Sequence, residues 1–80
     1  MPEVFLGSLL LVPYNFVPIG WALCNGQLLL IDQYAALFSL LGTQFGGDGI
    51  STFALPNYAS HQPESLHWII ALQGIFPSRG

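Results

Sequence analysis

The sequence predicts an α+β fold: a small, mainly-β module over residues 1–80 with one β-hairpin, one short helix and a C-terminal strand. Three observations carry this. Short runs of branched and aromatic residues are bounded by Pro, Gly and Asn. Asn25-Gly26 stands between two apolar runs, and this pair favours the positive φ angles of a type I′ hairpin turn. Leu37, Leu40 and Leu41 recur at helical spacing in one segment only.

In chain order, Val4–Val12 reads as a strand that ends at Pro13, and the segment to Gly20 reads as a loop. Trp21–Cys24 and Gln27–Leu30 are the two arms of the hairpin. Asp32 is placed to accept from the first free N–H groups of a helix over Gln33–Leu41. Phe38 widens that helix's apolar stripe, and Gly42 stops it. Gly42–Ser51 is a loop with glycines at 42, 46, 47 and 49. Thr52–Leu55 is a short strand closed by Pro56, Asn57–Ser65 is a polar connector, and His67–Phe76 is an apolar strand covered on both faces.

Hydrophobic residues make up 52% of the chain and charged residues 6%, against about 25% charged in an ordinary soluble domain. So short a chain buries only about 60% of its unfolded surface. Its apolar excess is therefore expected to meet another protein surface. The charged residues are Glu3, Asp32, Asp48, Glu64 and Arg79. One arginine cannot neutralise a run of phosphates, so nucleic-acid binding is excluded. A polybasic membrane patch fails on the same ground. Phe5–Val12 has the apolar character of a secretion signal but no basic flank, and it is too short to span a bilayer. It is read as a strand, with no signal peptide recognised and no membrane insertion expected.

Chemistry-bearing groups are sparse. The acidic residues show no pairing, and no Ser, His and acid spacing suggests a triad or nucleophile elbow, so no catalytic residue is assigned and no enzyme is expected. The glycine loop lacks the Lys-Ser or Lys-Thr pair of a phosphate loop and follows a helix instead of preceding one. It is read as a tight turn or a close backbone approach. Asp48 alone makes no calcium site. His61 and His67 with the distant Cys24 make no tetrahedral zinc set within one chain, although copies around a symmetry axis could bring either histidine together. No metal or other cofactor is expected. Cys24 is read as a small buried hydrophobe. Trp21 and Trp68 are read as core, and Tyr58 as an exposed aromatic suited to contact.

Asn15-Phe16-Val17-Pro18-Ile19-Gly20-Trp21-Ala22-Leu23-Cys24-Asn25-Gly26-Gln27-Leu28-Leu29 resembles the opening motif of phage tail-collar domains, found in short tail fibres and microcystin-dependent proteins. The likeness continues through Ala36–Thr43, Phe45–Gly49 and Thr52–Pro56, and returns in Ile70–Arg79. Such proteins usually follow Leu-Pro with an acidic residue and an Arg-Gly-Arg run, then a long insert. Here Asn57-Tyr58-Ala59-Ser60 follows, and the connector to Leu66 is short. The insert carries receptor contacts and a histidine-bound metal in tail fibres. With no His-x-His in this chain, that metal site does not carry over.

The resemblance implies a structural module of a phage tail, tail-like particle or extracellular fibre, located in the virion tail or such a fibre. It also implies a homo-oligomer, as a trimer or fibre, with other tail proteins as further partners. The residues expected at the self-association interface are Phe5, Leu9, Leu11, Trp68, Ile70, Leu72, Ile75 and Phe76. The strand edges of Phe5–Val12 and His67–Phe76 are the expected pairing surfaces. The alternative is an adhesin-like binding module recognising a glycan or surface receptor through Asn57, Tyr58, His61 and Gln62. A third reading is a shortened protein that has lost its receptor domain.

Overall fold

A computed structural model describes residues 4–14, 16–61, 63 and 65–77. Five short strands and one helix follow in the order β1 (Leu9–Val12), β2 (Trp21–Leu23), β3 (Leu28–Leu30), α1 (Ala35–Leu41), β4 (Thr52–Ala54) and β5 (His67–Ala71), with a 3-10 turn at Ala59–His61 before β5. The expected small α+β module is what forms. The strands make a three-stranded sheet in the order β1-β5-β2 and a separate two-stranded sheet of β3 and β4. The three strand pairings are antiparallel. In the first sheet Leu9 and Ala22 both face Ile70, and in the second Leu29 faces Phe53.

The hairpin is not formed. Its two arms lie in different sheets, β2 against β5 and β3 against β4. A type I′ turn needs positive φ at both central residues, and only Gly26 has it, at 81°. Asn25 instead accepts from the Gln27 N–H at 3.2 Å through its side-chain oxygen. The backbone here is bonded to a distant segment: Gly26 N–H donates to the Pro56 carbonyl at 3.1 Å, and Tyr58 N–H to that of Cys24 at 2.8 Å. Long-range pairing lets each arm bury a neighbour, since Ile70 and Phe53 are both fully enclosed.

The helix begins later than expected, and Asp32 does not cap it. Tyr34 is the N-cap residue and makes no side-chain cap bond. The chain leaving β3 first makes a turn in which the Leu30 carbonyl accepts from Gln33 and Tyr34 N–H, each at 3.2 Å. This turn holds Asp32 exposed, ahead of the helix. The end is as expected: Gly42 is the C-cap, its N–H donating to Phe38. Leu37 is buried, while Phe38, Leu40 and Leu41 pack at the margin of the core. The first strand is shorter than Val4–Val12, because the chain turns at Leu6-Gly7, and the last ends at Ala71.

The core joins both sheets and the helix through Leu6, Ala22, Cys24, Leu37, Phe53, Leu55 and Ile70. Phe38 and Phe53 rings meet at 5.4 Å, tilted by 55°. Two glycines allow backbone to approach backbone. Gly47 lies on β4 at φ 92°, where a Cβ would strike Phe53 Cα and come within 2.7 Å of the Thr52 carbonyl oxygen. Gly74 lies against the Val4 carbonyl, where Ile75 N–H donates to Val4 and Leu6 N–H to Ile75 at 2.9 and 2.8 Å. This ties the beginning of the described chain to its end.

Gly47→Ala combines a disfavoured φ with a clash against buried backbone. It is expected to destabilise the fold by about 3 kcal/mol or more, measured by denaturant unfolding followed by circular dichroism.

Candidate functional site

The glycine loop is closed by one carboxylate. Asp48 Oδ1 accepts from the N–H groups of Ile50, Ser51 and Thr52 at 2.8, 2.8 and 2.9 Å, and Oδ2 accepts from the Ser51 hydroxyl at 3.1 Å. Three backbone donors on one anion hold its pKa well below the usual carboxylate range, the Thr52 N–H contributing most. Asp48 is thus committed to shaping the loop. The loop carbonyl of Gly46 accepts from Ala54 N–H at 3.0 Å, and Gly49 N–H donates to Thr52 at 2.9 Å, so the loop lies along β4.

No constellation for metal binding is present among the described residues. No group of three or more His, Cys, Asp or Glu side chains converges there. A shallow apolar groove between β3 and the loop is lined by Leu30, Ile31, Asp32, Ala35, Ile50 and Ser51, with one carboxylate. Cys24 is buried as expected, and burial pushes its thiol pKa up to about 11. No described helix is long and apolar enough to cross a membrane.

The expected interface residues separate into two groups. Phe5, Leu9, Ile75 and Phe76 are exposed, and Phe5 and Ile75 are bridged in parallel, so they are neighbours. Leu11 is half-buried. Ile70 is enclosed in the chain's own core, and Trp68 and Leu72 pack against that core. Ile70 thus has no side-chain surface left for a partner. Within His67–Phe76, the β5 part (His67–Ala71) is the central strand and is paired along both edges, while Ile75 and Phe76 beyond it are exposed.

Of the residues considered for ligand contact, Asn57 is exposed and accepts from Ala59 N–H at 3.3 Å. Tyr58 is half-buried, not exposed, and its ring meets Trp68 edge-on at 6.4 Å. His61 ends the 3-10 turn, His67 begins β5, and Gln62 lies outside the described residues. Neither Asn57 nor Tyr58 lines the groove beside β3. Glu3, Glu64, Arg79 and Asn15 also lie outside the described residues.

Sequence reasoning missed Leu10, Leu28, Leu30 and Ile50, all exposed. The signal for two of them is the run of leucines in β3: with period-two alternation, burying Leu29 turns Leu28 and Leu30 outward.

The sequence model of the phage tail collar domain matches residues 7–63. No curated protein and no solved structure matches the chain.

Two outcomes follow from this chemistry. Asp48→Ala is expected to lower Tm at pH 7. Because the folded-state pKa is depressed, the contribution of Asp48 is fully present above the ordinary carboxylate value of about 3.9 and is lost as pH falls below it toward the folded value. The Tm gap between wild type and Asp48→Ala should thus hold from pH 7 to 5 and narrow in stronger acid. Cys24 should alkylate with iodoacetamide at least about tenfold more slowly in the folded protein than in denaturant, as its burial and raised pKa keep the thiolate scarce.

Proposed function

The chain belongs to the phage tail collar domain family, and from that membership we propose that it is a self-associating assembly module of a tail fibre, tail-like particle or extracellular fibre. The coarser role is that of the family: a structural component of phage tails. A non-catalytic role for this chain accords with that family, and with the scarcity of ionisable groups in the groove beside β3.

The observation that carries self-association is the apolar surface. Among the described residues eleven large hydrophobic side chains are exposed, from Phe5 to Phe76. No described polar or charged residue is buried, so the few polar groups are already at the surface and cannot mask the rest. Burying about 800 Å² of apolar surface at about 25 cal/mol per Å² is worth about 20 kcal/mol before the entropic costs of association. That is the scale needed to support a small fold. The adhesin reading draws less support, because Tyr58, its central aromatic, packs against the core.

Sedimentation velocity at low micromolar concentration is expected to show an oligomer. A folded, monodisperse monomer at that concentration overturns the proposal.

A further inference from the structure

Asn25-Gly26 makes no hairpin turn, but the pair carries a second property. It is the only place in the sequence where asparagine precedes glycine, since Asn15 precedes Phe16 and Asn57 precedes Tyr58. Asparagine followed by glycine modifies itself in water, because glycine has no side chain to keep the asparagine amide carbon away from the next backbone nitrogen. That nitrogen loses its proton to hydroxide and attacks the side-chain Cγ. A cyclic imide forms, and ammonia leaves with a proton taken from water. Water then opens either carbonyl of the ring, which gives aspartate or isoaspartate.

The Asn25 side chain is exposed, so water has access to it. The groups that must react are nevertheless engaged. Asn25 and Asn57 form an isolated antiparallel bridge. On one side of it the Gly26 N–H, the attacking nitrogen, donates to the Pro56 carbonyl at 3.1 Å. On the other the Tyr58 N–H donates to the Cys24 carbonyl at 2.8 Å. The Asn57 side chain lies over Gly26, where an added Cβ would sit 3.3 Å from Asn57 Cβ and Nδ2. The amide oxygen to be turned for attack, Asn25 Oδ1, accepts from the Gln27 N–H at 3.2 Å.

We propose that Asn25 is a deamidation site that the folded chain holds closed through the Asn25–Asn57 bridge, and that reacts only when the bridge parts. Local opening of this kind is what releases a bonded amide proton to solvent. The two products differ in consequence. Isoaspartate routes the main chain through the side-chain carbon, which adds a carbon between the Cys24 carbonyl and the Gly26 nitrogen. The two bonds flanking the bridge then fall out of step, beside the buried Cys24 and Pro56. A chain modified in this way while open is hindered from closing again. Aspartate adds a charge but keeps the main-chain length and the oxygen that accepts from Gln27.

The test ages the full chain in mildly alkaline buffer, folded and in denaturant, with peptide mapping by mass spectrometry to follow replacement of the Asn25 NH2 by OH. Deamidation in the folded chain is expected to be at least about tenfold slower than in denaturant. It should be slowed no less than hydrogen exchange at Gly26, because both reactions remove the same proton. On dilution of the aged sample from denaturant, the aspartate product is expected in the folded fraction and the isoaspartate product in the unfolded one. Equal deamidation rates in the two conditions, or a slowing smaller than the protection of the Gly26 amide, overturn the closed site. Aspartate and isoaspartate chains that refold to the same extent overturn its consequence.

Discussion

The central strand β5 is bonded along both edges, to β1 and β2, and its Ile69, Ile70 and Ala71 are buried. A strand enclosed in this way must be apolar on both faces, and each neighbour must come from a distant part of the chain. β1 precedes β5 by more than fifty residues and β2 by more than forty. The loop-closure entropy of these pairings is recovered only when the strand is covered. The order of the remaining elements follows from that requirement. β2 cannot remain in a local hairpin with β3, because it is needed beside β5, and β3 is left to find β4.

The second sheet meets the same demand with fewer residues. Phe53 is fully buried between α1 and a loop of glycines, and Asp48 folds that loop back on β4 with three backbone N–H bonds to one oxygen. The loop's Gly47 is therefore structural in this chain: it stands where any side chain meets the backbone of Phe53. With so small an interior, a cap of backbone does what a second layer of side chains does in a larger domain.

The cost of this economy is exposed grease. Two short sheets and a two-turn helix cannot enclose a chain that is 52% hydrophobic. Large apolar side chains stand in water on both sheets and on the loops between them. For a monomer this is a liability, and under the proposed self-association it is material for assembly. Under the proposed self-association the scarcity of charge serves the same end, since like charges seldom oppose one another when identical subunits meet.

Much of this was legible without coordinates. The helix with its leucine stripe, the stop at Gly42, the tight glycine loop, the burial of Cys24 and the apolar excess all follow from local spacing and composition, because each depends on near neighbours or on the whole chain's average. The family was legible too, in motifs that run from the first loop to Leu55-Pro56. The strand partners were not. Asn25-Gly26 favours a hairpin locally, and only the pull of Ile70 and Phe53 on opposite arms overrides it. Asp32 is chemically suited to cap a helix, but a turn anchored on Leu30 starts that helix beyond its reach. Which apolar residues face outward was likewise decided by tertiary pairing. Ile70 and Leu28 are equally apolar in sequence, yet one lies on a central strand and the other on an edge strand, and pairing alone separates them.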